Sequence, residues 1–207
     1  MRSGVAEEKC RLVHGGAGGG AAPLITVALR STLGRRVRIQ IDGWKAHIKF
    51  SAAHVIAGHP KCGRLHGHTY AVHVVLHGDA GADEMVFDFG IVKKALRSIS
   101  DSLDHRLIAP ASAVSPAGSG QVEVKIGKKS YRIPATDVAA IDVPASSAER
   151  LSQFFAKRLL AQVDLPPHIH EVEVGVDEGP GQGAWVRVRP PAKGPRSRPG
   201  VSGNRKR

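Results

Sequence analysis

The chain has 207 residues, 42% of them hydrophobic, which is enough to bury one core, while 24 glycines and 13 prolines indicate irregular segments. A formal net charge of +12 favours anionic partners but does not choose among nucleic acid, an acidic membrane and a phosphorylated small molecule. No apolar run is long enough to span a membrane as a helix, and two cysteines far apart, Cys10 and Cys62, argue against a disulfide framework and for the cytoplasm.

The first part of the chain predicts an extension followed by strands. Residues 1–33 are rich in Gly and Ala without a helix or strand period, and we expect a flexible extension there. Hydrophobic residues alternate on both sides of Asp42-Gly43, which predicts a β-hairpin over residues 36–50. The run HGHTYAVHVVLHG, residues 66–78, is rich in β-branched residues and predicts a long strand.

Two segments show a helical period. Residues 88–105 place apolar side chains on one stripe, and Asp88 stands where an N-cap would, so we expect a first helix there. Ser146 and Glu149 have the spacing of a capping box ahead of a second apolar stripe, which predicts a second helix from about residue 147 to residue 163.

The remaining strands complete an α+β pattern. Residues 121–134 alternate around Gly127 and predict a hairpin inserted between the helices, while 170–178 and 184–189 predict two closing strands. The ββααββ order with an extra hairpin favours an antiparallel sheet with both helices on one face, in a domain over residues 34–190. The acid-free, Pro- and Gly-rich segment 191–207 predicts a disordered basic tail, which could contact nucleic acid loosely.

Histidines are concentrated between residues 54 and 77, where six of the eleven occur. His66 and His68 point the same way in a strand, and His54, at the end of the preceding strand, can come alongside them. Three histidine ligands leave one zinc position open, as in a catalytic site, whereas Cys62 as a fourth ligand would make the site structural. His73 and His77 have the opposite parity and should project from the other face. Four further histidines lack ligand spacing: His47, His59, His168 and His170.

Six short motifs occur in one order between Trp44 and Arg189: FSAAH, CGRLHGHTY, MVFDFG, LDH, SSAERL and VDE. Together they resemble the family of 6-pyruvoyl-tetrahydropterin and 6-carboxytetrahydropterin synthases. The resemblance implies a tunnelling fold (T-fold), in which sheets of several subunits form a barrel. It also implies a homo-oligomer, a trimer or a hexamer built from trimers, with active sites between subunits.

The family's motifs imply a role for each matching residue. His54, His66 and His68 would bind Zn²⁺, and Cys62 would be a catalytic thiol rather than a ligand. Asp104 and His105, in LDH, would be its charge-relay partners. Four residues would bind the substrate. Glu178 would anchor the pterin ring, and Ser147, Ala148 and Glu149 would lie near it. Ala148 departs from the family pattern, which usually has Thr or Ser at this position.

The spacing between Cys62 and His66 indicates the branch of the family. Three intervening residues resemble 6-carboxy-5,6,7,8-tetrahydropterin synthase of the queuosine and archaeosine pathways. That resemblance implies conversion of 7,8-dihydroneopterin triphosphate and water to 6-carboxytetrahydropterin, acetaldehyde and triphosphate. It implies no membrane partner, and it does not require the contact with nucleic acid that the basic tail could make. Two alternatives stay open at this point: a 6-pyruvoyl-tetrahydropterin synthase, and a zinc-stabilised RNA-binding module with Cys62 as fourth ligand and the tail as its affinity element.

Overall fold

A computed structural model describes residues 36–191 of the chain. The predicted extension over residues 1–33 and all but the first residue of the predicted tail lie outside the described residues. None of the described helices is both long and apolar enough to cross a membrane.

Ten strands and two α-helices make up the described part. The strands are β1 (Arg36–Ile41), β2 (Lys49–His54), β3 (His66–Asp79), β4 (Arg106–Pro110), β5 (Val114–Gly118), β6 (Gln121–Ile126), β7 (Lys129–Pro134), β8 (Val138–Ile141), β9 (Ile169–Asp177) and β10 (Gly183–Val188). The helices are α1 (Phe89–Asp101) and α2 (Ala148–Gln162).

The main sheet has seven strands in the order β10-β9-β3-β2-β4-β8, with β1 as a further partner of β3. Strand β3 is 14 residues long, so its first half pairs with β2 and its second half with β1 along the same edge. The pairs among β1, β2, β3, β9 and β10 are antiparallel, as expected. Two parallel pairs, β2 with β4 and β4 with β8, extend the sheet beyond that expectation.

The segment between β1 and β2 is not a hairpin turn. The Asp42 carboxylate accepts a hydrogen bond from the Trp44 N–H at 2.9 Å, and the Ile48 N–H donates to the Gly43 carbonyl at 2.9 Å, which curls the chain. Strands β1 and β2 then pair with β3 instead of with each other. The hairpin predicted over residues 36–50 is therefore wrong, because each strand finds its partner in β3.

The predicted hairpin over residues 121–134 is present as β6 and β7. Strand β5 pairs with β6 and makes a separate three-stranded sheet. A small apolar cluster joins this sheet to the main one, and it includes Val55 after β2 and Val124 in β6. The insertion is therefore packed against the domain rather than free.

Both helices lie on one face of the main sheet, as predicted. Val92, Leu96 and Ile99 of α1 share a buried core with the alternate valines of β3 and β9. From α2, Phe155 reaches this core and its ring stacks on Phe50 with the centroids 5.7 Å apart. Because strand residues two apart share a face, the residues between those valines point to the other side of the sheet.

The N-cap predicted for α1 is present in the structure, whereas the one predicted for α2 is not. The predicted cap of α1 is confirmed, since the carboxylate of Asp88 accepts a hydrogen bond from the Gly90 N–H at 2.6 Å. The predicted capping box of α2 is wrong by one residue, since Ser147 takes the N-cap position. Ser146 is instead buried, with its hydroxyl 3.5 Å from the Val55 carbonyl.

Candidate active site

Three histidines meet where β2 ends and β3 begins. The antiparallel register pairs His54 directly with His66, and His68 follows two residues later on the same face. One ring nitrogen from each histidine lies within 4.8 Å of the others. The predicted set of His54, His66 and His68 is thus brought together, and Cys62 is not part of this cluster of ligand atoms.

Hydrogen bonds orient two of these rings. His54 Nδ1 lies 2.7 Å from the Ser146 carbonyl and His66 Nδ1 lies 2.8 Å from the Arg64 carbonyl, so each Nδ1–H donates to a main-chain oxygen. The two Nε2 atoms, which then carry lone pairs, face each other at 3.1 Å. Converging lone pairs repel each other unless a cation lies between them, so this arrangement fits a bound metal ion.

The third ring and the electrostatics of the site agree with that interpretation. His68 Nε2 is buried and has no hydrogen-bond partner, which leaves a ligand atom unsatisfied. Burial lowers the pKa of His54 from 6.5 to about 4, with the Ser146 carbonyl opposing and the other two histidines adding to the shift. His54 is therefore neutral at physiological pH, which is the form that binds a metal.

A cavity of about 300 Å³ opens beside this cluster. Its walls include Cys62, the predicted segment 147–149 and Glu178, together with His54. Glu178 follows β9, and its Oε1 lies 3.9 Å from His54 Nε2. The fold therefore gathers a thiol, a carboxylate and one histidine of the cluster around a space suited to a small ligand.

Asp104 and His105 form a pair beyond the end of α1. His105 Nδ1–H donates to Asp104 Oδ2 at 2.7 Å, and the Ser51 N–H donates to Asp104 Oδ1, also at 2.7 Å. Burial would raise the pKa of Asp104, but these hydrogen bonds and the charge of His105 outweigh it and lower the pKa below 3.8. His105 has a φ of 56°, a strained conformation that is held by the bond from its own N–H to the Ser51 carbonyl.

The pair does not share the cavity of Cys62. His105 lines a separate open groove, whose walls also include Thr69, Tyr131 and His68 of the histidine cluster. The His105 side chain is 83% exposed. Within one chain, Cys62 and His105 therefore line two separate cavities.

Sequence reasoning missed two residues of the site. His59 lacks ligand spacing in the sequence, but its Nδ1 accepts a hydrogen bond from the Cys62 N–H at 2.9 Å and it lines the same cavity as Cys62. Tyr70 continues the same-face series of His66 and His68, and its buried hydroxyl has no partner. Burial and the charge of Glu178 raise the pKa of Tyr70. The period of two in HGHTY was the available signal for this tyrosine.

His73 and His77 project from the opposite face of β3, as predicted. His73 Nδ1 accepts a hydrogen bond from the Gly43 N–H at 3.1 Å, and its Nε2 lies 3.2 Å from Asp177. His77 Nε2 lies 2.6 Å from a carboxylate oxygen of Glu173. Both rings therefore have partners remote from the histidine cluster.

Comparison with known proteins gives consistent results. The family model described as 6-pyruvoyl tetrahydropterin synthase matches residues 44–189. A Methanocaldococcus jannaschii protein, provisionally named 6-carboxy-5,6,7,8-tetrahydropterin synthase, is 37% identical over 155 residues, which covers 72% of this chain and 95% of that protein. The 6-carboxy-5,6,7,8-tetrahydropterin synthase of Haemophilus influenzae is 31% identical over 116 residues, covering 53% of this chain and 76% of that protein.

Solved structures agree with the sequence relatives. The 6-pyruvoyl tetrahydropterin synthase of Plasmodium falciparum superposes with a TM-score of 0.68 at 26% identity, covering 75% of this chain and 99% of that chain. The Plasmodium vivax protein of the same name gives 0.67 at 27% identity, with the same coverage. These likenesses confirm the T-fold predicted from the motifs.

The matched region contains β2, β3, both helices and β9, the elements that carry the histidine cluster and its cavity. The relatives and the solved structures carry the names of pterin synthases, and the match covers most of the chain. The chain therefore belongs to the 6-pyruvoyl tetrahydropterin synthase family, as a lyase of the tetrahydropterin synthase type.

Proposed function

We propose that the protein is a zinc-dependent 6-carboxy-5,6,7,8-tetrahydropterin synthase of the cytoplasm that serves 7-deazaguanine biosynthesis. Its substrates would be 7,8-dihydroneopterin triphosphate and water, and its products 6-carboxytetrahydropterin, acetaldehyde and triphosphate. The observation that carries the proposal is the cavity lined by Cys62, Glu178 and His54, one of the three clustered histidines. The three-residue gap between Cys62 and His66 and the names of the sequence relatives favour the carboxy product.

His54, His66 and His68 would hold the zinc ion. Bound there, zinc supplies a Lewis acid that lowers the pKa of hydroxyl groups on the substrate side chain. The three imidazoles leave a position open for substrate because Cys62 lies outside the ligand cluster. This arrangement favours a catalytic site over the closed, structural site of the RNA-binding alternative.

The roles of the other cavity residues follow from their chemistry. Cys62 as thiolate would accept a proton from the substrate side chain, since it lines the cavity beside His54. Glu178 offers two acceptor oxygens for the N–H donors of a pterin edge. Ser147, Ala148 and Glu149 form the cavity wall at the start of α2, where they would contact the pterin ring.

Asp104 and His105 would act in the site of a neighbouring subunit. Asp104 orients His105 through the 2.7 Å bond to Nδ1, which leaves Nε2 free to exchange a proton with a thiol. His105 opens into a groove apart from the cavity of Cys62, so an assembly of chains would be needed to bring the groups together. This need supports the homo-oligomer, a trimer or hexamer with interfacial sites, that the family resemblance implies.

A 6-pyruvoyl-tetrahydropterin synthase is the second candidate, and the names of the solved structures favour it. Both reactions would use the same residues, so the products must decide. Purified protein is incubated with 7,8-dihydroneopterin triphosphate, and acetaldehyde and the pterin product are measured by mass spectrometry. Acetaldehyde with 6-carboxytetrahydropterin supports the proposal, whereas the pyruvoyl product without acetaldehyde would show the second candidate to be correct.

The role of Cys62 is tested by Cys62→Ala with Cys10→Ala as the matched control. We expect Cys62→Ala to keep its zinc and to lose turnover by about 100-fold or more, because a positioned proton acceptor contributes that much. The control should keep both. Loss of zinc in Cys62→Ala would instead indicate a fourth ligand and a structural site.

A further inference from the structure

The turn of the inserted hairpin β6–β7 touches the loop that carries Cys62. Lys129 Nζ donates a hydrogen bond to the Gly63 carbonyl at 2.6 Å. Gly127 in the same turn lies near Ala57, since a Cβ built on this glycine would be 3.7 Å from the Ala57 Cβ. The hairpin turn therefore lies beside this loop and contacts it through Lys129.

The ends of the Cys62 loop, residues 55–65, are attached to the domain through the Val55 carbonyl, 3.5 Å from the Ser146 hydroxyl, and through the Arg64 carbonyl, which accepts from His66. The middle of the loop depends mainly on its own hydrogen bonds. The Ile56 N–H donates to the Cys62 carbonyl at 2.8 Å, and the Cys62 N–H donates to His59 Nδ1 at 2.9 Å. The Gly63 N–H donates to the His59 carbonyl, also at 2.9 Å. These bonds shape the loop locally, but they do not tie it to the body of the protein.

The inserted hairpin is itself well packed, so a contact from it can restrain the Cys62 loop. Val124 and Ile126 of β6 are 0% and 8% exposed, in the same buried cluster as Val55, with which the loop begins. Strand β6 is also paired on both sides, with β5 and β7. A contact made by the first residue of β7 is therefore made from a packed element.

We propose that the inserted hairpin is a positioning element for Cys62 and that Lys129 is its contact residue. A charge-assisted bond to the carbonyl next to Cys62 restrains the main chain that aims the thiol into the cavity. Small displacements of a reacting group reduce turnover strongly, so this restraint acts on the chemical step rather than on substrate affinity. The inference rests on the proposed role of Cys62, while its contacts are independent of which pterin is formed.

The test compares Lys129→Met with Lys125→Met in the full chain, both carrying Cys10→Ser so that one known thiol remains. Lys125 is an exposed lysine of the same hairpin whose side chain pairs with Glu123 at 3.0 Å. We expect Lys129→Met to lower kcat about 5- to 20-fold with KM changed less than about twofold. Lys129→Arg, which keeps the charged donor, should restore most of kcat, and Lys125→Met should behave as the parent.

Alkylation of Cys62 by iodoacetamide gives a readout that needs no pterin chemistry. We expect Lys129→Met to raise the alkylation rate about threefold or more, because the released loop exposes the thiol more often. A changed alkylation rate in a protein without pterin turnover would support the positioning role and count only against the proposed function. Unchanged kcat and alkylation in Lys129→Met, an equal effect of Lys125→Met, or no rescue by Lys129→Arg would overturn the inference.

Discussion

His54 Nε2 and His66 Nε2 face each other at 3.1 Å while the Nδ1–H of each ring is donated to a main-chain carbonyl. Neither ring can turn its lone pair away without losing that hydrogen bond. The two carbonyls belong to Arg64, in the Cys62 loop, and to Ser146, just ahead of α2. The histidine cluster is therefore coupled directly to both segments that wall the cavity.

The first prediction concerns metal content. His66→Ala should leave the purified protein with little zinc, while the parent holds about one ion per chain, because two imidazoles do not complete a zinc site. The matched control is His170→Ala, which removes a half-exposed histidine of β9 that pairs with Asp79, remote from the histidine cluster. Mass spectrometric metal analysis measures both, and equal zinc in the two variants would contradict the assignment.

Removal of the metal should also destabilise the fold. A ligand present at about 100 times its Kd stabilises the folded state by roughly 2.7 kcal/mol, equivalent to about 5 to 10 °C in Tm for a domain of this size. We expect a chelator to lower the Tm of the parent by such an amount and zinc to restore it. His66→Ala should respond to neither treatment, and a parent Tm insensitive to chelation despite complete metal loss would refute the coupling.

Glu178→Gln should act on substrate binding. The amide keeps the size of the side chain but replaces one acceptor oxygen by a donor that opposes the N–H groups of the pterin. A hydrogen bond to a charged group contributes about 1.5–3 kcal/mol, so we expect KM to rise roughly 10- to 100-fold with zinc content unchanged. Steady-state kinetics measure this effect, and a fall in kcat at constant KM would place Glu178 in the chemical step instead.

Sharing of sites between subunits can be tested with two inactive variants. Cys62→Ala and His105→Ala are co-expressed with different tags, and mixed oligomers are isolated through both tags. If one site takes Cys62 from one chain and His105 from the next, each of these residues is intact in about half of the sites after random mixing. About a quarter of the sites then have both, so about a quarter of the parental activity is restored. Mixed oligomers as inactive as Cys62→Ala/His105→Ala would show that both groups must come from one chain.

The lowered pKa of Asp104 predicts a pH-dependent contribution to stability. Its carboxylate is ionised more readily in the folded state, so the contribution is fully present above pH 3.8 and is lost as the pH falls through the lower folded value. With the side chain 38% exposed, we expect Asp104→Asn to cost no more than about 1 kcal/mol at neutral pH. Urea unfolding measures it, and Asp101→Asn, at the end of α1, is the control.

The difference between parent and Asp104→Asn should shrink as unfolding is repeated at lower pH. A protonated aspartic acid resembles asparagine in charge, so the two proteins converge below the folded pKa of Asp104. A difference that stays constant down to about pH 3 would mean that the charge of Asp104 does not stabilise the fold.

Local patterns account for the elements that the sequence predicted correctly. The β-branched residues of 66–78 predicted a strand, because they suit a pleated backbone, and the apolar stripe behind Asp88 predicted a helix, because its period matches helical geometry. The Asp42-Gly43 signal failed because local turn chemistry does not reveal which strand a segment will pair with. The register of β2 against β3 depends on side chains far apart in sequence, which pack together only in the fold.

The sequence by itself determined the donor atoms of the site and the face of β3 on which His66 and His68 lie, since spacing along one strand decides both. Only the tertiary structure decided that His54 pairs with His66 and that Cys62 and His105 line separate cavities. It also decided that Lys129 contacts the Cys62 loop. Each of these relationships joins segments through sheet pairing and core packing, whose free energy comes from contacts between distant parts of the chain rather than from local periodicity.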